Sequence, residues 1–151
     1  MPTVTTVTSR RFDQLSAREF HDLLRLRIDV FVVEQACPYP ELDGSDVESG
    51  TEHHWIAEAG GAPACYARTL DDGAAIRIGR VVTAPPARGD GLAASLMTYL
   101  IGRFDDRPLV LDAQSHLAEW YTRFGFEHDG AEFVEDGIPH VPMRRGGTVS
   151  T

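Results

Sequence analysis

The sequence predicts an α/β fold, an α+β mixed sheet that is antiparallel in its first half and parallel at its centre. Three observations carry this prediction. Residues 53–58, 63–70 and 75–82 each alternate apolar and polar side chains and are separated by short glycine-bearing turns, which reads as an antiparallel meander. A helical pattern over residues 94–104 follows, and then the short apolar run 108–113. Strand, helix and strand in that order form a crossover whose two strands run parallel.

The β-branched stretch 3–12 opens the chain as a first strand, and Ser16-Ala17-Arg18-Glu19 (S-x-x-E) is a capping box that starts a helix. Phe20, Leu23, Leu24, Ile28 and Phe31 recur at helical spacing and supply an apolar face. Val30-Phe31-Val32-Val33 favours a helix end or an extended turn, because β-branched side chains crowd a helix. Residues 35–51 form a long loop carrying Glu41, Asp43, Asp46 and Glu48; a loop of this length is usually functional or disordered. Ala59-Gly60-Gly61-Ala62 and Asp71-Asp72-Gly73 turn the meander. Pro85 and Pro86 stop its third strand, since proline offers no ladder donor. Leu92, Leu96, Tyr99, Leu100 and Phe104 share one face of the second helix. Ser115 is suited to cap a third, with Leu117, Trp120, Tyr121 and Phe124 on one face and Gly125 at its end. Residues 126–133 and 138–143 surround Glu135-Asp136-Gly137 as a last hairpin, and 146–151 is a loose tail. The predicted order is β-α-loop-β-β-β-α-β-α-β-β.

At 151 residues the chain is expected to be one domain, 1–151, with its core at about 7–145. A net charge of −9 and a pI near 5.0 argue against a general nucleic-acid or anionic-membrane binder. All basic residues apart from histidine are arginine. The two cysteines, Cys37 and Cys65, lack the spacing of a zinc site or a disulfide framework, which fits a reducing compartment and no metal. His53 and His54 cannot chelate one ion together, because adjacent strand residues point to opposite faces. The N-terminus lacks the apolar run of a signal peptide, and no stretch is long enough to span a bilayer, so a cytoplasmic location is expected.

The chemistry centres on Arg88-Gly89-Asp90-Gly91-Leu92-Ala93, a small-residue loop opening a helix. Such a loop leaves backbone N–H groups unshielded and aims the positive end of the helix at one point, which suits a phosphate. A Walker loop is excluded, since the chain has no lysine. Gly89, Gly91 and Ala94 satisfy a dinucleotide fingerprint, with Asp112 about 20 residues on, which would imply an NAD(P)-binding oxidoreductase. That fingerprint needs its first glycine at the end of its strand, and here Pro85 and Pro86 intervene.

Arg88-x-x-Gly91-x-Ala93 resembles the R/Q-x-x-G-x-G/A loop of the GNAT superfamily of N-acetyltransferases, and Tyr121-Thr122-Arg123-Phe124-Gly125-Phe126 resembles its Y-x-x-x-G-F signature. The stretch from Leu26 to Gln35, with Cys37-Pro38-Tyr39 and Leu42-Asp43-Gly44, is similar to the ElaA-like subgroup, as is the segment from Glu132 to His140. The resemblance implies the GNAT acyl-CoA N-acyltransferase fold, with an antiparallel N-terminal meander and a splayed parallel central pair. It implies direct transfer of an acetyl group from acetyl-coenzyme A to a primary amine, on a small molecule, protein or peptide. A non-catalytic coenzyme A or amine sensor is the main alternative, and a homodimer is left open.

The resemblance further implies roles. Arg88, Gly89, Asp90, Gly91, Leu92 and Ala93 would bind the pyrophosphate of coenzyme A. Val81 and Val82 would offer backbone groups to the pantetheine arm, and Gln114 a hydrogen bond. Tyr121 would be the general acid that protonates the departing thiolate, a task a phenol with a pKa near 10 can perform at neutral pH. Many members carry a glutamate base on the strand before the loop, where this chain has Arg77 and Arg80. Arg80 suits an ion pair with a buried carboxylate better than a reactive role. Glu34 is the first candidate base, and His140, Glu132, Asp136 and His116 follow. The loop carboxylates, Asp43 and Asp46 among them, are expected to form a cation-selecting wall of the acceptor site, with Glu132 and His140 also touching the acceptor.

Overall fold

A computed structural model describes residues 6–146; residues 3–5 of the expected first strand and 147–151 of the expected tail lie outside them. Strand β1 (Thr8–Arg11) edges a mixed sheet and pairs antiparallel with β2 (Thr51–Ala57), which pairs with β3 (Pro63–Asp71), which pairs with β4 (Ile76–Thr83). Strand β5 (Leu109–Gln114) runs parallel to β4, as the crossover requires. Beyond it come β6 (Glu127–His128), β7 (Phe133–Glu135) and β8 (Ile138–Arg145), with β8 antiparallel to β5 and carrying the other two.

Helices cover both faces. On one, α2 (Leu92–Arg103) and α3 (Ala118–Thr122) press Leu96, Met97, Leu100 and Tyr121 onto Ile76, Ile78, Leu109 and Leu111. On the other, α1 (Ala17–Ile28) and the turn that follows it press Leu23, Leu26 and Val30 onto Trp55, Tyr66 and Val82. Burying such side chains contributes roughly 1.5–3 kcal/mol each. The Ser16–Glu19 capping box forms as expected: Glu19 N–H donates to Ser16 Oγ at 3.0 Å, and Ser16 N–H to Glu19 Oε1 at 2.8 Å.

The inward face of α1 is rotated from the expected one. Leu23, Leu26, Arg27 and Val30 are buried, whereas Ile28 is exposed. Arg27, fully enclosed, occupies a core position that a hydrophobic pattern does not reveal. The β-branched run is neither extended nor a helix end. It continues as a π-helical turn, Asp29–Glu34, in which Gln35 N–H reaches Val30 C=O at 3.0 Å. The wider turn keeps the backbone bonded through a stretch that favours an ordinary helix poorly, and such turns concentrate at functional sites.

The C-terminal region also departs from expectation. Ser115 caps nothing; its hydroxyl donates to Glu132 at 2.8 Å, and a 3₁₀ turn, Ser115–Leu117, precedes a short α3. The expected strand 126–133 is reduced to β6, with β7 entering only at Phe133. Asp136 (φ 51°) and Gly137 (φ 78°) close the β7–β8 hairpin in a left-handed two-residue turn, matching strand twist.

Two features shape the centre of the sheet. The parallel pairing of β4 with β5 consists of Ile76 with Leu109 and Arg77 with Val110, after which the strands part. Just beyond, β4 bulges: Arg68 faces Gly79 and Tyr66 faces Val82, so Ala67 opposes both Arg80 and Val81. Arg80 sits at φ 54°, a left-handed conformation that costs a non-glycine residue roughly 1–2 kcal/mol.

His53 and His54 do face opposite sides. His53 donates its Nε2–H to Asp46 C=O at 3.0 Å and meets Tyr66 Oη at 2.6 Å; His54 bonds Ser9 at 2.7 Å and Thr69 at 2.8 Å. Burial lowers both pKa values, that of His54 to about 3 from 6.5. Below pH 6.5 the unfolded chain therefore binds protons that the folded chain refuses. Stability should be full above that pH and fall as pH drops below it, by about 1.4 kcal/mol per unit toward pH 3 for His54, with His53 adding in the same direction. Urea midpoints from pH 7 to 4.5 measure this slope, and His54→Asn should reduce it; a flat profile contradicts it.

Candidate active site

Where β4 and β5 part, they leave a cleft of about 790 Å³. One end meets the start of α2. Gly91 (φ 75°) is the N-cap of that helix and Gly89 has φ 90°, so glycine is needed at both for the loop's path. The first intrahelical bond runs from Ser95 N–H to Gly91 C=O, and no cap side chain covers the end. The N–H groups of Leu92, Ala93 and Ala94 are thus free to meet a ligand. A Cβ built at Gly89 or Gly91 meets nothing within 4 Å, so open space lies against the loop.

Along the cleft, strand alternation decides which peptide groups are on offer. Ala84 N–H bonds Ala64 C=O on β3 at 2.8 Å. The groups of Val82 turn the same way, and those of Val81 and Thr83 turn toward the opening. Thr83 C=O already accepts from Arg88 Nε at 3.2 Å. Val81 and Thr83, rather than Val81 and Val82, present backbone bonds there.

Tyr121 stands on the α3 wall. Its ring packs edge-on to Trp120 at 4.9 Å and Phe126 at 6.0 Å. Burial, with Cys65 nearby, pushes its phenol up to about 12 and keeps it protonated. His140 on β8 stacks on Phe133 and lines the same cleft. Its Nδ1 lies 2.7 Å from Ile138 C=O. A carbonyl only accepts, so Nδ1 carries a proton, which in the neutral tautomer leaves the lone pair on Nε2.

The 35–50 segment forms the outer wall through Cys37, Tyr39 and Asp43. Cys37 Sγ donates to Asp136 C=O at 3.5 Å, joining this wall to the β7–β8 turn. The wall does not expose free acid. Arg27 Nη1 bonds Asp46 at 2.8 Å and Arg27 Nε bonds Glu41 at 2.7 Å; Arg68 bonds Asp43 at 2.6 Å and Asp46 at 3.1 Å. Arg80 Nε adds a bond to Glu41 at 2.9 Å, so Arg80 does pair with a buried carboxylate. The Arg68 guanidinium holds the Asp43 carboxyl far below its ordinary value. Burial alone would raise Asp46, yet Arg27 and then Arg68 keep it low.

The family described as Acetyltransferase (GNAT) domain matches residues 23–146. The chain belongs to that family. A UPF0039 protein of Mycobacterium tuberculosis is 46% identical over 138 residues, covering 89% of this chain and 88% of its own. Protein ElaA of Escherichia coli is 38% identical over 139 residues, covering 87% and 90%. An acyl-CoA N-acyltransferase from Pseudomonas aeruginosa superposes with a TM-score of 0.88 at 39% identity, over 95% of this chain and all of its own. The chain is therefore an ElaA-like GNAT protein with the GNAT acyl-CoA N-acyltransferase fold.

Around the GNAT cleft the structure gathers Val81, Val82, Arg88 and Ala93 with Gln114, Tyr121, His140 and Asp43. Gly89, Asp90, Gly91 and Leu92 stand at its rim rather than in its lining. Three expectations are corrected. Glu34 is gripped by Arg88 at 2.6 and 2.7 Å, and this pair holds its carboxyl below the usual range, so it is a poor proton acceptor. Asp46 is enclosed and Glu132 is turned to Ser115, so neither lines the cleft. The acidic wall is not free charge: Arg27, Arg68 and Arg80 pair with its Glu41, Asp43 and Asp46. Sequence reading missed Thr83, Arg68 and Tyr39. Only Arg68, a charge inside an otherwise apolar strand, carried a signal.

Proposed function

We propose that the protein transfers an acetyl group from acetyl-coenzyme A to a primary amine of a small molecule or peptide. One observation supports this most: a protonated, buried phenol stands on a cleft whose far end is an uncovered, glycine-lined helix N-terminus. The residues fit the co-substrate. Amides of Leu92, Ala93 and Ala94, with Arg88, would hold a pyrophosphate, and Val81 and Thr83 would pair with the pantetheine amides. When bound, acetyl-coenzyme A supplies the activated acyl thioester. His140 Nε2 takes a proton from the incoming amine, directly or through one water, and Tyr121 gives its proton to the departing thiolate. The 3₁₀ turn Pro85–Ala87, set between strand and loop, disfavours the dinucleotide reading.

Calorimetric titration with coenzyme A and NAD, then thiol release from acetyl-coenzyme A across an amine panel, tests the proposal. Binding of coenzyme A alone with amine-dependent release supports it; coenzyme A binding with no acceptor marks a sensor. Glu34→Gln gives a further check. Freed of its bidentate partner, Arg88 is available to phosphate, so coenzyme A should bind a few-fold tighter with turnover largely retained. A loss of about 100-fold in kcat would return Glu34 to the role of base.

A further inference from the structure

We infer that Glu41 is a positioning residue: by holding Arg80 it maintains the β4 bulge that opens the cleft. The carboxylate belongs to the loop after α1 and is buried among Arg27 Nε at 2.7 Å, Arg80 Nε at 2.9 Å and the Tyr39 hydroxyl. Arg80 also donates to Glu41 C=O at 3.3 Å and lies over the Tyr39 ring at 5.6 Å. All these partners lie on the α1 side of the sheet.

The side-chain pattern of β4 shows why a holder is needed. Ile76 and Ile78 belong to the core under α2, whereas Val82 belongs to the core under α1. In an unbroken strand, residues of one parity share a face, so Arg80 and Val82 would follow Ile78 toward α2. The bulge reverses the faces after Gly79: Arg80 moves to the α1 side and Val81 packs toward α2. Val81 and Val82 are the same residue, so exchanging them between the two cores changes almost nothing. Apolar burial therefore barely distinguishes the bulged strand from the straight one. The left-handed φ of 54° at Arg80 weighs against the bulge. What favours it is the charge of Arg80, which in a straight strand would enter the apolar core under α2 and in the bulge meets Glu41. The bulge also decides that Val81 and Thr83 turn their peptide groups into the cleft.

The role for ligand binding rests on the proposed use of coenzyme A; the role for strand register does not. Arg80→Ala removes the charge and keeps the Cβ strain, so its crystal structure should show a straight β4 with Tyr66 opposite residue 81. Its affinity for coenzyme A should fall about tenfold, while adenosine 3′,5′-bisphosphate, which lacks the pantetheine arm, binds as before. Arg80→Gly also removes the charge, yet glycine takes a positive φ freely, so affinity should stay within about threefold. Glu41→Gln should weaken coenzyme A in the parent and add nothing in the Arg80→Gly background. Equal losses in Arg80→Ala and Arg80→Gly would make Arg80 a direct contact and overturn the inference. A bulge retained in Arg80→Ala, with affinity unchanged, would overturn it too. If the parent binds no coenzyme A, the proposed function fails, and the register seen in the variant structures still decides the positioning role.

Discussion

Tyr121→Phe is expected to lower kcat by about 10²–10⁴-fold and to leave coenzyme A affinity within about twofold of the parent. The variant should fold normally, because the hydroxyl makes no hydrogen bond among the described residues and the edge-on contacts with Trp120 and Phe126 belong to the ring. What disappears is the proton donor for the thiolate as it gains charge. An ordinary phenol would begin to ionise near pH 10, and a falling limb in the pH profile would report it. Burial raises this one to about 12, so that limb should be absent below about pH 11. Single-turnover kinetics with calorimetry separate the chemical step from binding. If transfer is rate-limiting and the variant stays within about twofold of the parent, Tyr121 is packing and a water protonates the thiolate.

Gly91→Glu should weaken coenzyme A binding by at least about 100-fold without unfolding the protein. The position is exposed and a Cβ there meets nothing within 4 Å, so the side chain has room. It would nevertheless project a carboxylate beside the N–H groups that open α2, neutralising the field that attracts an anion. The φ of 75° adds backbone strain for any side chain. Gly91→Ala separates the two causes: it carries the strain and not the charge, and should cost only about tenfold. Calorimetry on both variants, with their folding checked by circular dichroism, measures the difference. An unchanged affinity in Gly91→Glu would remove the loop from the binding site.

The features legible in the sequence are those set by near neighbours along the chain. Ser16 and Glu19 cap α1 because a box closes within one turn. Asp136-Gly137 makes its hairpin because two residues suffice for it. The meander and the crossover follow from alternation and helical spacing, and Arg88 to Ala93 opens α2 because two glycines accept left-handed angles. Tyr121 was identifiable through the resemblance of residues 121–126 to the Y-x-x-x-G-F signature, and the structure brings it to the same cleft as Arg88. Local propensity and short periodicity carry the elements, and the family resemblance carries Tyr121.

Charge partners were not legible, because they depend on distances through space and on which groups lose their water. Nothing near Arg27 in the chain indicates burial; it is enclosed because Glu41 and Asp46 fold back onto it. An acidic loop looks anionic in sequence, yet Arg27, Arg68 and Arg80, contributed by three different elements, neutralise it. Glu34 is held ionised by Arg88, which lies beside it only in the fold. The tautomer of His140 is set by a carbonyl two residues away, and the hairpin sets that contact. The family resemblance implied a bulge before the strands splay, but its position was not legible in the hydrophobic pattern, since Val81 and Val82 leave that pattern degenerate. Periodicity therefore determined the elements and their order, whereas tertiary structure alone determined which charges meet, and with them the shape and polarity of the site.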